Sequence, residues 1–151
     1  MVVFHPAVQG FQANDELVFP LLEALQEYNA PVYVHTGPPG MATPWQLADL
    51  AEAFPNLNFI MGHCGSTDYW TDVRVVMTSS DNIYLDSSLA RPAAFRGYVD
   101  AVGVDRSIMS SFAPINDLVF EWDQMRLEAP PDEFAEIYGQ TLLTLLGAGS
   151  T

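Results

Sequence analysis

Three histidines stand in this chain of 151 residues, and each follows a short apolar run: VVFHP (His5), PVYVHTG (His35) and NFIMGHCG (His63). Imidazole is the side chain that exchanges a proton near neutral pH and ligates metals when neutral. Two imidazoles at the ends of neighbouring parallel strands lie ~4.8 Å apart and can reach one ion at about 2 Å each. His35 and His63 therefore read either as metal ligands or as hydrogen-bonded pocket residues. His5 reads as a member of the same rim or, with Pro6 behind it, as a turn residue. Asp86, ending NIYLDS, is a candidate substrate-binding carboxylate or a turn former. Cys64 next to His63 reads as a buried thiol facing away from it. Ser110 and Ser111 have no nearby histidine and read as strand or loop residues; Glu121, Asp123, Glu133 and Glu136 read as solvated helix faces.

The elements that must position these groups follow from periodicity and punctuation. Val2–Pro6, Pro31–Gly37, Asn58–Gly65, Asn82–Ser87 and Arg106–Ser111 are short apolar or β-branched runs bounded by turn residues, the pattern of strands. Helical spacing of Leu17, Leu21, Leu22, Leu25 and Tyr28 follows an Asn14 or Asp15 cap. Gly37–Met41 is a stiff turn suited to lining a pocket. Thr43 and Pro44 then open a helix with Leu47, Leu50, Ala51 and Phe54 on one face. Ser66, Thr67 and Asp68 start a helix burying Trp70, Val73, Val76 and Met77; Pro92–Val102 forms a short one. Asn116 caps a helix with Leu118, Val119, Trp122 and Met125. Asp132 starts the last helix, with Phe134, Ile137, Leu142 and Leu145 inward and Gly147 as its stop. Strand and helix alternate about five times without a break, which predicts a single domain over 1–151 with a parallel sheet covered by helices.

Composition removes several classes of function. There are 5 Arg and no Lys against 19 acids, a formal charge of −14. So few cations speak against nucleic acid and against an anionic membrane surface; an acidic surface of this kind maintains solubility. No apolar run approaches the ~20 residues of a membrane span. MVVFHPAVQG lacks a secretory leader's features, and a single cysteine forms no intrachain disulfide, so the expectation is a cytoplasmic protein. No glycine-rich phosphate loop, GxSxG turn or cysteine-rich zinc pattern occurs.

The order FHPAVQGF, PLLEAL, PVYVHTG, FPNLNFIMGHCG, NIYLDSS, SS-x-AP and TLLTLLG resembles the amidohydrolase superfamily. It is most similar to the amidohydrolase-related branch that includes aminocarboxymuconate-semialdehyde decarboxylase. The resemblance implies a (β/α)8 barrel with a divalent metal, usually zinc, at its C-terminal rim. On that pattern His35 matches the metal histidine of the fifth strand. His63 matches the sixth-strand histidine, which binds metal or substrate. The HxH pair of the family's first strand has no counterpart here, because the chain begins near the family's fourth strand. Where the family's eighth strand carries an aspartate that is both ligand and proton-transfer base, this chain has Phe112.

A full barrel needs roughly 250 residues, so the expected architecture is α/β and TIM-barrel-like, with about five of eight units. The alternative is an open, flavodoxin-like doubly wound sheet. The function implied is metal-dependent hydrolysis or decarboxylation of a small carbonyl or carboxylate compound, with His35 and His63 on the metal and His5 and Asp86 on the substrate. The opposing expectation is a non-catalytic barrel remnant that forms a homo-oligomer or accepts a complementing N-terminal half. A fragment of a longer gene product is the third reading.

Overall fold

Five short strands pair side by side in the order of the chain, all parallel: β1 (Val2–Phe4), β2 (Val32–His35), β3 (Phe59–Gly62), β4 (Ile83–Asp86) and β5 (Ser107–Ile108). This computed structural model describes residues 1–66, 68–128, 130–133 and 135–148. Val3, Tyr33, Ile60 and Tyr84 share one register row, and Val2, Val32, Phe59 and Ile83 the next. Because neighbours never skip a strand, there is no switch point, and the doubly wound alternative does not hold. The sheet is a sector of a barrel.

Alternation along the strands separates two layers. Phe4, Val32, Val34, Phe59, Met61, Ile83 and Leu85 bury against the outer helices in one large core. Those helices include α2 (Phe19–Gln26), α3 (Pro44–Ala53), α4 (Trp70–Ser79) and α5 (Pro92–Val102); a single turn, α1 (Pro6–Gln9), precedes them. α3 forms where its punctuation requires. The Thr43 hydroxyl accepts from Gln46 N, the Gln46 side chain accepts from Thr43 N, and Pro44 sits in the first turn. Its Leu47 and Leu50 are fully buried, each stabilising the fold by roughly 1.5–3 kcal/mol.

Several sequence expectations shift. Asp15 caps a 3-10 turn at Glu16–Val18 ahead of α2, which rotates the helix so that Val18, Leu22 and Leu25 face inward. Of the residues at helical spacing, Leu17 and Tyr28 are each 76% exposed, and Leu21 is exposed as well. α4 starts at Trp70, which is itself exposed, while Val73, Val76 and Met77 are buried. Thr67 and Phe134 lie outside the described residues. The fifth strand is only two residues long, since Arg106 turns away to donate to the carbonyls of Ser80 and Met77.

In α6 (Leu118–Glu128), Asp117 rather than Asn116 accepts from a first-turn amide, that of Phe120. The helix buries Met125 and Glu121, while Leu118, Val119 and Trp122 are exposed. Glu121, expected on a solvated face, is 5% exposed and accepts from the Asn116 amide. Glu133 is also engaged, in an ion pair with Arg96.

The last segment departs most from a complete barrel. A π-helical stretch, Glu136–Gln140, leads into α7 (Thr141–Leu145). Beyond β5, Met109 N–H donates to the carbonyl of Ile137 at 2.8 Å, so this segment lies along an edge where a further strand would pair. Leu142 and Leu145 then pack onto the concave face of the sheet, against Tyr33, Ile60, Tyr84 and Ile108. No described helix is long and apolar enough to cross a membrane.

Candidate functional site

At the C-terminal ends of β1, β2 and β3 the three histidines come together. The rings of His5 and His35 stack at 4.3 Å, and those of His35 and His63 lie 4.9 Å apart. His35 leaves β2 on the same face as Tyr33. β3 stops at Gly62, and two consecutive left-handed residues, His63 (φ 66°) and Cys64 (φ 46°), aim the imidazole back over the sheet. Gly62 is glycine because a Cβ there would fall 2.6 Å from the Tyr33 ring. Gly37 (φ 123°) lets the loop after β2 approach the next one; a Cβ there would stand 2.7 Å from the Ser66 carbonyl. Thr36 ties the same loops, donating to Gly62 O and accepting from Gly65 N.

Hydrogen bonding links the histidines to a buried carboxylate. His35 Nδ1 and His63 Nε2 are 2.8 Å apart, His63 Nδ1 and Ser88 Oγ 2.7 Å, and the Ser88 hydroxyl donates to Asp86 Oδ1. The last bond fixes the direction of the others. Ser88 has one proton, which goes to the carboxylate, so its oxygen accepts from His63 Nδ1–H. His63 Nε2 then accepts from His35 Nδ1–H, and His35 Nε2 is left with a free lone pair. Every bond in the chain is satisfied only with the His63 ring neutral.

The electrostatics agree. Burial first, then His63 and His5, hold His35 down at about 4. Burial also lowers His63, against the opposing pull of Asp86. Burial and then the Asp86 charge push the Tyr33 phenol well up. Burial raises the Cys64 thiol, whose Sγ donates to the Asp86 carbonyl at 2.9 Å.

A cavity of about 270 Å³ opens over this chain, lined by His5, His35, His63, Pro38, Pro39 and Phe112 among others. The Gly37–Pro39 part of the expected pocket loop is on its wall. The Phe112 ring stands 4.5 Å from that of His63. Among the described residues, five that are not glycine have positive φ; of these His63, Cys64, Leu89 and Phe112 border this cavity or the one beside it, and Asn29 lies elsewhere. Such conformations cost about 1–3 kcal/mol each and gather at functional sites.

The expected site residues are thus sorted. His5, His35 and His63 share the rim. Asp86 is not on the cavity wall: at 2% exposure it lies under His63, where it accepts from Ser88 Oγ and Ser88 N. It lines neither this cavity nor the one beside it, and it is joined to His63 through Ser88. Ser88 and Tyr33 escaped the sequence reading. Tyr33 was legible as the residue two before His35 on one strand face. Ser88 could be found only as the serine two beyond Asp86, in reach of a turn bond.

A metal does not fit this donor set. Among the described residues no three His, Cys, Asp or Glu side chains form a metal-binding group. Both ring nitrogens of His63 are engaged. The facing nitrogens of His35 and His63 are also closer than two ligands ~2 Å from one tetrahedral ion would stand. His5 Nδ1 is buried without a hydrogen-bond partner, and the His5 ring stacks on that of His35.

Parallel strands in sequential order, outer helices and a histidine rim at the strands' C-terminal ends define a barrel-type α/β scaffold. The family profile described as amidohydrolase matches residues 1–141, and the chain belongs to that family. No curated protein matches it. Among solved structures, an uncharacterised TIM-barrel protein from Bordetella bronchiseptica superposes with a TM-score of 0.82 at 18% identity, over 97% of this chain and 57% of its own. A 5-carboxyvanillate decarboxylase from Sphingomonas paucimobilis gives 0.71 at 16%, over 95% and 57%. A dihydroxybenzoic acid decarboxylase from Polaromonas, solved with manganese and 2-nitroresorcinol, gives 0.72 at 16%, over 93% and 56%. At these identities the likeness shows the fold. The chain spans little more than half of each match, and the fold is a partial barrel.

Proposed function

We propose that this chain carries the acid–base rim of an amidohydrolase-family decarboxylase or hydrolase acting on a small carboxylated or carbonyl compound. The observation behind this reading is the directed chain His35–His63–Ser88–Asp86 opening onto the 270 Å³ cavity. His35 Nε2, a neutral lone pair, first takes a proton from a substrate hydroxyl or from water; the imidazolium so formed is destabilised by its surroundings and gives that proton up readily. In a decarboxylation that proton goes to the substrate carbon as the C–C bond breaks; the bonding electron pair stays on that carbon, and CO2 leaves. His63, Ser88 and Asp86 keep the ring oriented throughout. A divalent metal, zinc by the resemblance, belongs to this reading only with ligands from beyond these five strands. The proton transfer at His35 uses groups of this chain.

The test is CO2 release from hydroxylated benzoates by the purified chain, with and without Zn2+ or Mn2+, and with a complementing barrel half added. Turnover that His35→Asn removes is the expected result. No release under any of these conditions counts against the reading.

The opposing reading, an assembly module, is favoured by the open edge of β1 and by the exposed Val119, Phe120 and Leu127 of α6. A second copy is the partner it names. Light scattering that shows a monomer at every concentration removes it.

A further inference from the structure

A second cavity, about 160 Å³, adjoins the histidine pocket and shares His63, Ser66 and Leu89 with it. Its remaining wall includes Trp70, Arg91, Ala94 and Tyr98. We infer that this cavity is a subsite for a planar carboxylate, with Arg91 binding the anion and Trp70 flanking the ring. The inference rests on the reading of the neighbouring histidines as the reacting end: the subsite would hold the far end of the same substrate.

Four observations carry it. First, the volume matches that of cavities known to take one benzene ring. Second, the Arg91 guanidinium lies 5.3 Å from the centroid of the Trp70 ring, an arrangement that orients its donor edge while the cation rests on the ring face. Third, that charge is uncompensated. The described ion pairs both belong to Arg96, and Arg91 makes none. The Tyr98 phenol on the same wall is pushed up to about 12 by burial and brings no negative charge. Asp86 lies beneath the wall and is already bonded to Ser88. In a chain of formal charge −14, an unpaired arginine at a cavity is a selective feature.

Fourth, two helices of ten and eleven residues, α4 and α5, start at this cavity, at Trp70 and at Pro92, and neither has a side-chain cap. The first-turn amides of α5, which has no acid in its first turn, add partial positive charge to the arginine's full one, whereas Asp72 offsets the start of α4. Tyr98 fixes the geometry by donating to the Trp70 carbonyl at 2.5 Å, which locks the start of α4 to α5.

The experiment is a titration of the intact chain with benzoate, followed by ligand-observed NMR, with benzamide as the neutral isostere. Saturable benzoate binding is expected, with benzamide at least about tenfold weaker. Arg91→Gln is expected to weaken benzoate about tenfold or more, and Arg91→Lys to fall between, because it keeps the charge and loses the planar fork. Equal binding of benzoate and benzamide, an Arg91→Gln affinity equal to the parent's, or no saturation below about 10 mM would overturn the inference. The readout is binding, so it stands or falls separately from turnover at His35.

Discussion

His35 ends β2 as a neutral base with one free nitrogen, and its surroundings decide that state. Its pKa is about 4 in the folded chain against an unfolded value of ~6.5. Folding therefore disfavours its protonation. The stabilisation is complete above pH ~6.5 and drains away as pH falls through about 4; His63, lowered too, adds in the same direction. The urea midpoint should accordingly drop between pH 6.5 and 4, and His35→Asn should flatten that slope. Phe112 makes the complementary point. Its ring keeps the neighbourhood apolar, and it holds φ 60°, a conformation that Asp adopts more readily than Phe. Phe112→Asp would place a carboxylate where a phenyl ring now faces His63 and His35. The histidine titration midpoints, read from imidazole proton shifts, should rise.

At the scale of elements, the sequence predicts best where punctuation and burial agree. β2 and β3 were legible as unbroken apolar runs, α5 by its opening proline, and α3 because proline, a capping threonine and an apolar face mark the same boundaries. α2 and α6 were misread for a shared reason. Each has apolar residues on more than one face, and sequence spacing does not say which face meets the sheet; the Asp15 turn decides it for α2. The rim was legible in its histidines because strand ends are easily found. Its second half was not. Ser88 and Asp86 join the site through a turn, and the left-handed pair His63–Cys64 has no propensity signal. Gly62→Ala tests how tightly the strands are fitted. The new methyl would overlap the Tyr33 ring on the adjoining strand, and a loss of about 1–3 kcal/mol in urea unfolding is expected.

For the whole molecule, a charge of −14 means that the folded chain repels itself more than the extended chain does. Raising NaCl from about 10 mM to about 500 mM shortens the screening length from ~30 Å to under 10 Å, and the thermal midpoint should climb with it. A chain whose midpoint is flat across that range would have its acids compensated locally, which the two ion pairs of Arg96 do not achieve.

The leucines of α7 occupy the concave side of the sheet, where the strands of a closed barrel would place their own side chains. Those two coverings are mutually exclusive. Whatever completes the barrel must first evict Leu142 and Leu145, so the C-terminal helix sets a threshold that any incoming half has to exceed. Cutting the chain after Gln140 should remove that threshold and leave Tyr33, Ile60, Tyr84 and Ile108 as an apolar trough open to water. The shortened chain is then expected to bind a hydrophobic dye and sediment as aggregates when alone, while the intact one stays clear.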